Sequence, residues 1–140
     1  EGFASYGVAL WVEEVAGRAA AERLMDDFYQ EALYMLPPGN PPPDNLFDWS
    51  VYVRGAWVLH ALRLEVGDEA FFQILAEYYD RYKYGNASTA DFIAVAEEIS
   101  GQEMKGLFDA WLYGTDIPPH PSVVGDLGSR QFPVGIATNR

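Results

Sequence analysis

Few residues in this chain have the type and spacing that catalysis needs. The two histidines, His60 and His120, stand 60 positions apart. No HExxH helix, GxGxxG loop, Walker loop or GxSxG elbow occurs. Three pairs of carboxylates do occur, at Glu13-Glu14, Asp26-Asp27 and Glu97-Glu98. Adjacent residues of a helix point about 100° apart, so such pairs do not converge on one substrate atom. They read as solvated faces. His60 falls on an apolar helical face and reads as a satisfied core histidine; His120, within PPHP, reads as an exposed loop residue.

The elements that would position these groups are helical. Residues 3–15 are apolar and end in acids, with a break at Ala16-Gly17. Residues 18–36 carry an apolar stripe at Ala21, Leu24, Met25, Phe28, Ala32 and Met35, whose spacings of three and four are the helical period. Proline fixes φ and removes a donor, so PPGNPPPD at 37–44 must be a loop. Residues 51–66 carry two stripes, one through Tyr52, Gly55, Ala56, Leu59, Leu62 and Val66, the other through Val53, Trp57, His60 and Leu64. A helix apolar on two faces is expected to be surrounded by others. Gly67 suits a helix C-cap and Asp68 the next N-cap. A helix over 69–83 follows, then one opened by Ser88-Thr89-Ala90-Asp91 and stopped at Gly101. Met104, Leu107, Phe108, Trp111 and Leu112 mark the last. The expectation is an all-α, compact bundle of five to six helices over 1–114, with an irregular tail over 115–140.

Composition narrows the function. Nine Lys+Arg against 21 Asp+Glu leave a net charge of −12, which argues against a nucleic-acid partner, since phosphates demand a basic face. An apolar share of 49% supports a packed core rather than disorder. The lack of cysteine excludes a disulfide framework and a Cys-ligated zinc site. No run of about 18 apolar residues exists to span a bilayer. The acidic balance reads as a solvated surface that weakly favours a cationic peptide N-terminus.

Three stretches, in order, resemble one family. The opening EGFASYGVALWVEEV is similar to the segment after the zinc-binding helix in the aminopeptidase N family of zinc metallopeptidases, which reads roughly W-L-N-E-G-F-A-x-Y. VYVRGAWVLHALR at 51–63 resembles that family's Y-x-K-G-A-x-V-L-x-M-L-R, with Arg54 where lysine is usual. GDEAFFQILAEYYDRY and ADFIAVAEEISGQEMKGLFDAWLYG resemble the helices closing its catalytic domain. The resemblance covers residues 1–114 and implies the helical subdomain of a thermolysin-like metallopeptidase that removes N-terminal residues from peptides. It implies that Glu1 is the third zinc ligand and that Tyr52 donates to the oxyanion of the tetrahedral intermediate.

The family's HExxH helix and general base are not in this sequence, so the chain alone is expected to be inactive and to bind no zinc by itself. Other readings of the same residues stand beside these: Glu1 as a frayed terminal residue, Tyr52 as a core tyrosine with a bonded hydroxyl, Arg54 in a structural ion pair. The competing class is a non-catalytic helical interaction module, or a degenerate homologue without zinc. The Pro-rich loop and tail suggest an extracytoplasmic or membrane-associated bacterial protein.

Overall fold

The computed structural model describes residues 1–121. Six helices form it: α1 (Gly2–Ala16), α2 (Arg18–Ala32), α3 (Trp49–Val66), α4 (Asp68–Tyr82), α5 (Thr89–Ser100) and α6 (Lys105–Leu112). No strand occurs among the described residues, so the all-α bundle expected from the periodicity is what the chain forms. Among the described residues no helix is long and apolar enough to cross a membrane.

The centre of the bundle is α3. Its Val53, Ala56, Trp57, Val58, Leu59 and Leu62 are all buried, because α1, α2, α4 and α6 pack around it. Trp57 is its largest core side chain. The indole stacks on Trp111 of α6 at 5.4 Å between centroids, meets Tyr29 of α2 edge-on at 5.2 Å, and donates Nε1–H to the Met25 carbonyl at 2.7 Å. An indole buried with its N–H satisfied contributes its full apolar area without an orphaned donor.

Several helix boundaries differ from the sequence expectation for local reasons. The α2 stripe predicts a helix to residue 36, yet α2 stops at Ala32. Residues 33–35 instead tighten into turns, with Tyr34 and Met35 amides bonding the Glu31 and Ala32 carbonyls at 3.2 and 3.0 Å. Proline disfavours the helical region for the residue before it, so Leu36 cannot carry the helix up to Pro37. Asp68 is not an N-cap. Gly67, at φ 82, is at once the last cap of α3 and the first of α4, and Asp68 uses its carboxylate on Arg63 and Arg18 at 2.9 and 2.8 Å. The start of α5 follows expectation: Ser88 and Asp91 form a reciprocal capping box, which satisfies two otherwise orphaned amides.

Packing also corrects three side-chain expectations. Glu13 does not belong to a solvated face. It grips the buried guanidinium of Arg63 with two bonds of 2.6 and 2.9 Å, since the donors of a buried guanidinium need acceptors. Arg54 is fully buried and makes no ion pair among the described residues; its Nε donates to the Trp111 carbonyl at 2.8 Å, and its Nη2 to those of Ala110 and Gly114. His120 is not an exposed loop residue. Its ring lies edge-on to Tyr29 at 4.8 Å and near Trp57 at 5.2 Å, with Nε2 3.0 Å from Asp26. The flat imidazole covers aromatic surface that water would otherwise meet. Residues 115–120 are irregular and lie along α2, where the Tyr29 hydroxyl donates to the Pro118 carbonyl at 2.9 Å. The remainder of the expected tail, 122–140, lies outside the described residues.

Candidate active-site face

Glu1 and Tyr52 belong to different helices, and a pair of glycines ties those helices together. Gly2 opens α1 against Gly55 of α3. A Cβ added at Gly2 would lie 2.6 Å from the Gly55 carbonyl carbon and 2.7 Å from its oxygen. Glu1 is covalently next to Gly2, and Tyr52 stands three residues, close to one turn, before Gly55. Backbone contact at the crossing therefore brings the first residue and Tyr52 to one end of the bundle. Any side chain at Gly2 would lever α1 off α3. Gly2→Ala is expected to destabilise the chain by about 2–3 kcal/mol. Gly7→Ala, on the same helix with open space at its Cβ, is expected to be neutral or stabilising by up to about 1 kcal/mol. Denaturant midpoints of the two variants check this.

At that end Glu1 is exposed and serves as the N-cap of α1 through its backbone, with no side-chain capping bond. Its carboxylate is thus not engaged in holding the helix. Tyr52 is half-buried on the first turns of α3. Its ring stacks on Trp49 at 5.5 Å, with the planes 28° apart. Its hydroxyl has no hydrogen-bond partner among the described residues. Among the described residues no group of three or more His, Asp or Glu side chains is placed to hold a metal ion.

His60 sits deeper on α3, away from this face. Its Nδ1 is 3.2 Å from the buried Tyr6 hydroxyl, and its ring packs edge-on to Trp57 at 4.8 Å. Burial, then the positive charges of Arg63, His120 and Arg18, push its pKa down to about 4, with Asp26 opposing. The unfolded chain binds that proton near pH 6.5, so the stability it supplies is complete above about 6.5 and lost as pH falls toward 4. From about pH 7.5 to 5 the expected loss is about 2 kcal/mol. Over that span Glu13 and Asp68, whose carboxyls Arg63 holds below their ordinary values, stay ionised. Unfolding curves of the chain and of His60→Leu at both pH values check this: the variant is expected to lose the slope.

Sequence reasoning missed Glu31 and Trp49. Trp49 donates its indole N–H to Glu31 of α2 at 3.2 Å, and no local pattern links residues 18 apart across a proline loop. A signal for Arg63 was present, since an arginine inside an apolar helix must find acceptors for its donors.

Comparison with known proteins gives the family. The model for the peptidase family M1 domain matches residues 1–111; the chain belongs to peptidase family M1 and corresponds to the C-terminal, helical part of an aminopeptidase N-like protein. It is 43% identical over 68 residues to aminopeptidase M1-D of Oryza sativa subsp. japonica, covering 49% of this chain and 8% of that one. It is 33% identical over 97 residues to aminopeptidase N of Lactococcus lactis subsp. lactis, covering 66% and 11%. The M1 zinc metallopeptidase of Deinococcus radiodurans superposes with a TM-score of 0.75 at 33% identity, covering 86% of this chain and 28% of that one. A mutant of that enzyme bound to a Tyr-Ser-Ala substrate gives 0.74 at 36% identity, with the same coverage. The chain thus spans about a tenth of the length of the curated relatives it matches.

Proposed function

We propose that this chain forms the helical side of the active site of a zinc aminopeptidase that removes N-terminal residues from peptides. In this reading Glu1 is one zinc ligand, the others coming from polypeptide outside this sequence. Tyr52 directs its hydroxyl at the oxyanion that develops on the substrate carbonyl. The observation that carries the reading is the Gly2–Gly55 contact, which holds both residues at one end of the bundle. Among the described residues neither the Glu1 carboxylate nor the Tyr52 hydroxyl makes a hydrogen bond, which supports it, because neither group is committed to holding this part of the fold. Zinc, when bound, polarises the carbonyl and acidifies a bound water. The chain contributes geometry: α1 fixes where Glu1 stands, and α3 fixes where the phenol stands. A donor held before charge develops needs no reorganisation during the reaction.

The chain by itself offers one such carboxylate, and is expected to hydrolyse no aminoacyl reporter substrate with zinc added. Turnover by the purified chain would overturn the assignment of the remaining ligands to other sequence. In the longer enzyme, Glu1→Gln is expected to lower the bound zinc, read by metal analysis after dialysis, with little change in helicity. Full retention of zinc in that variant would remove Glu1 from the ligand set.

A further inference from the structure

We propose that Trp49 is a positioning residue for Tyr52, and that Glu31 anchors it. The proposal rests on the reading of Tyr52 as the oxyanion donor. Trp49 is the first residue of α3, three before Tyr52, so their side chains share a face of the helix. The register of that first turn is set by Asp48, whose carboxylate accepts from the Ser50 amide at 2.9 Å and from the Asn45 side chain at 3.0 Å. The indole lies against the phenol ring with centroids 5.5 Å apart and planes 28° apart, the offset stacking that aromatic quadrupoles favour. Yet Trp49 is 58% exposed. Burial does little to hold a tryptophan so placed.

What holds it is Glu31, in the last turn of α2, whose carboxylate accepts the indole N–H at 3.2 Å. A hydrogen bond to a charged acceptor is stronger than a neutral one, and this one spans the loop that separates α2 from α3. The order of dependence is then clear. Glu31 fixes the indole, the indole walls one side of the Tyr52 ring, and α3 fixes the rest. The Tyr52 hydroxyl has no bond of its own among the described residues, so the direction of its O–H depends on where the ring is held. Misplacement of a catalytic group by about 1 Å can cost about 10²-fold in rate, so a wall on one side of the phenol is a kinetic device as well as a packing contact.

Two measurements test this. In the 140-residue chain, NMR should show the Tyr52 ring protons displaced by the neighbouring indole. Trp49→Ala should abolish that displacement, and Glu31→Ala should reduce it, with the melting temperature nearly unchanged. In the longer enzyme, Trp49→Ala should lower kcat about tenfold with KM unchanged, and Trp49→Phe, which keeps a stacking ring but cannot bond Glu31, should recover only part of it. In a Tyr52→Phe background Trp49→Ala should have no further effect on kcat. If Tyr52→Phe lowers kcat but Trp49→Ala and Glu31→Ala leave it intact, Tyr52 keeps its role and the positioning proposal is overturned. Additive losses in the double variant, or a change in KM alone, overturn it in favour of direct contact between Trp49 and substrate. If Tyr52→Phe itself leaves kcat intact, the donor reading fails and this proposal with it. Should Trp49→Ala fail to fold, Trp49→Phe and Glu31→Ala carry the same comparison.

Discussion

Removing one oxygen from Tyr52 is expected to lower kcat of the longer enzyme about 10²–10³-fold, the usual cost of losing one oxyanion donor. The variant is Tyr52→Phe, with kcat and KM measured on an aminoacyl reporter and melting followed by circular dichroism. Stability should hardly change. The hydroxyl makes no hydrogen bond among the described residues, so its loss orphans no partner and opens no cavity. The ring stays against Trp49, since the stack at 5.5 Å uses the π-face and not the oxygen. KM should stay within a few-fold, because the bond strengthens only as charge develops. A loss of stability with intact turnover would return Tyr52 to a packing role.

The second large effect is expected at Arg54, and it is structural. A buried guanidinium with no carboxylate partner among the described residues needs a reason to be there. The reason is the end of α6, whose last carbonyls have no partner within the helix. Arg54 supplies donors to Trp111, Ala110 and Gly114 from the neighbouring helix, and its positive charge stands at the negative end of the α6 dipole. Burial holds its pKa below the usual value for arginine. Arg54→Met fits the volume but strands three carbonyls. At roughly 1 kcal/mol or more for each, the expected loss is about 3 kcal/mol. Arg54→Lys is expected to cost under about 1 kcal/mol. An ammonium has three donors for three carbonyls, whereas the guanidinium leaves Nη1 buried without a partner among the described residues. Denaturant unfolding of both variants checks the order; equal losses would mean that the fork itself, and not the count of donors, holds α6.

That same residue shows where sequence reasoning stops. A cation inside an apolar helix needs partners, and the expectation of a carboxylate followed from that alone. The partners turned out to be carbonyls 56 to 60 residues away, and no local pattern marks which helix end will lie against which side chain. Glu13 and His120 fail for the same reason. Their local surroundings look solvated, and both are claimed by groups far along the chain, Arg63 and the Tyr29–Trp57 surface.

The helices themselves were determined locally. Stripes at spacings of three and four, the caps at Ser88 and Gly101, and the prolines at 37 and 38 act within a turn or two. The all-α class and the surrounding of α3 followed from them, and the ordered motifs carried the family. What tertiary structure alone decided is which residues meet. The absence of a Cβ at Gly2 and Gly55 lets two backbones touch, and that contact sets Glu1 beside the first turns of α3. The Glu31–Trp49–Tyr52 series exists only once α2 and α3 have docked across the proline loop. Periodicity encodes which face of a helix is apolar, while the depth and angle at which two faces seat depend on the shapes of both, and no single segment carries that.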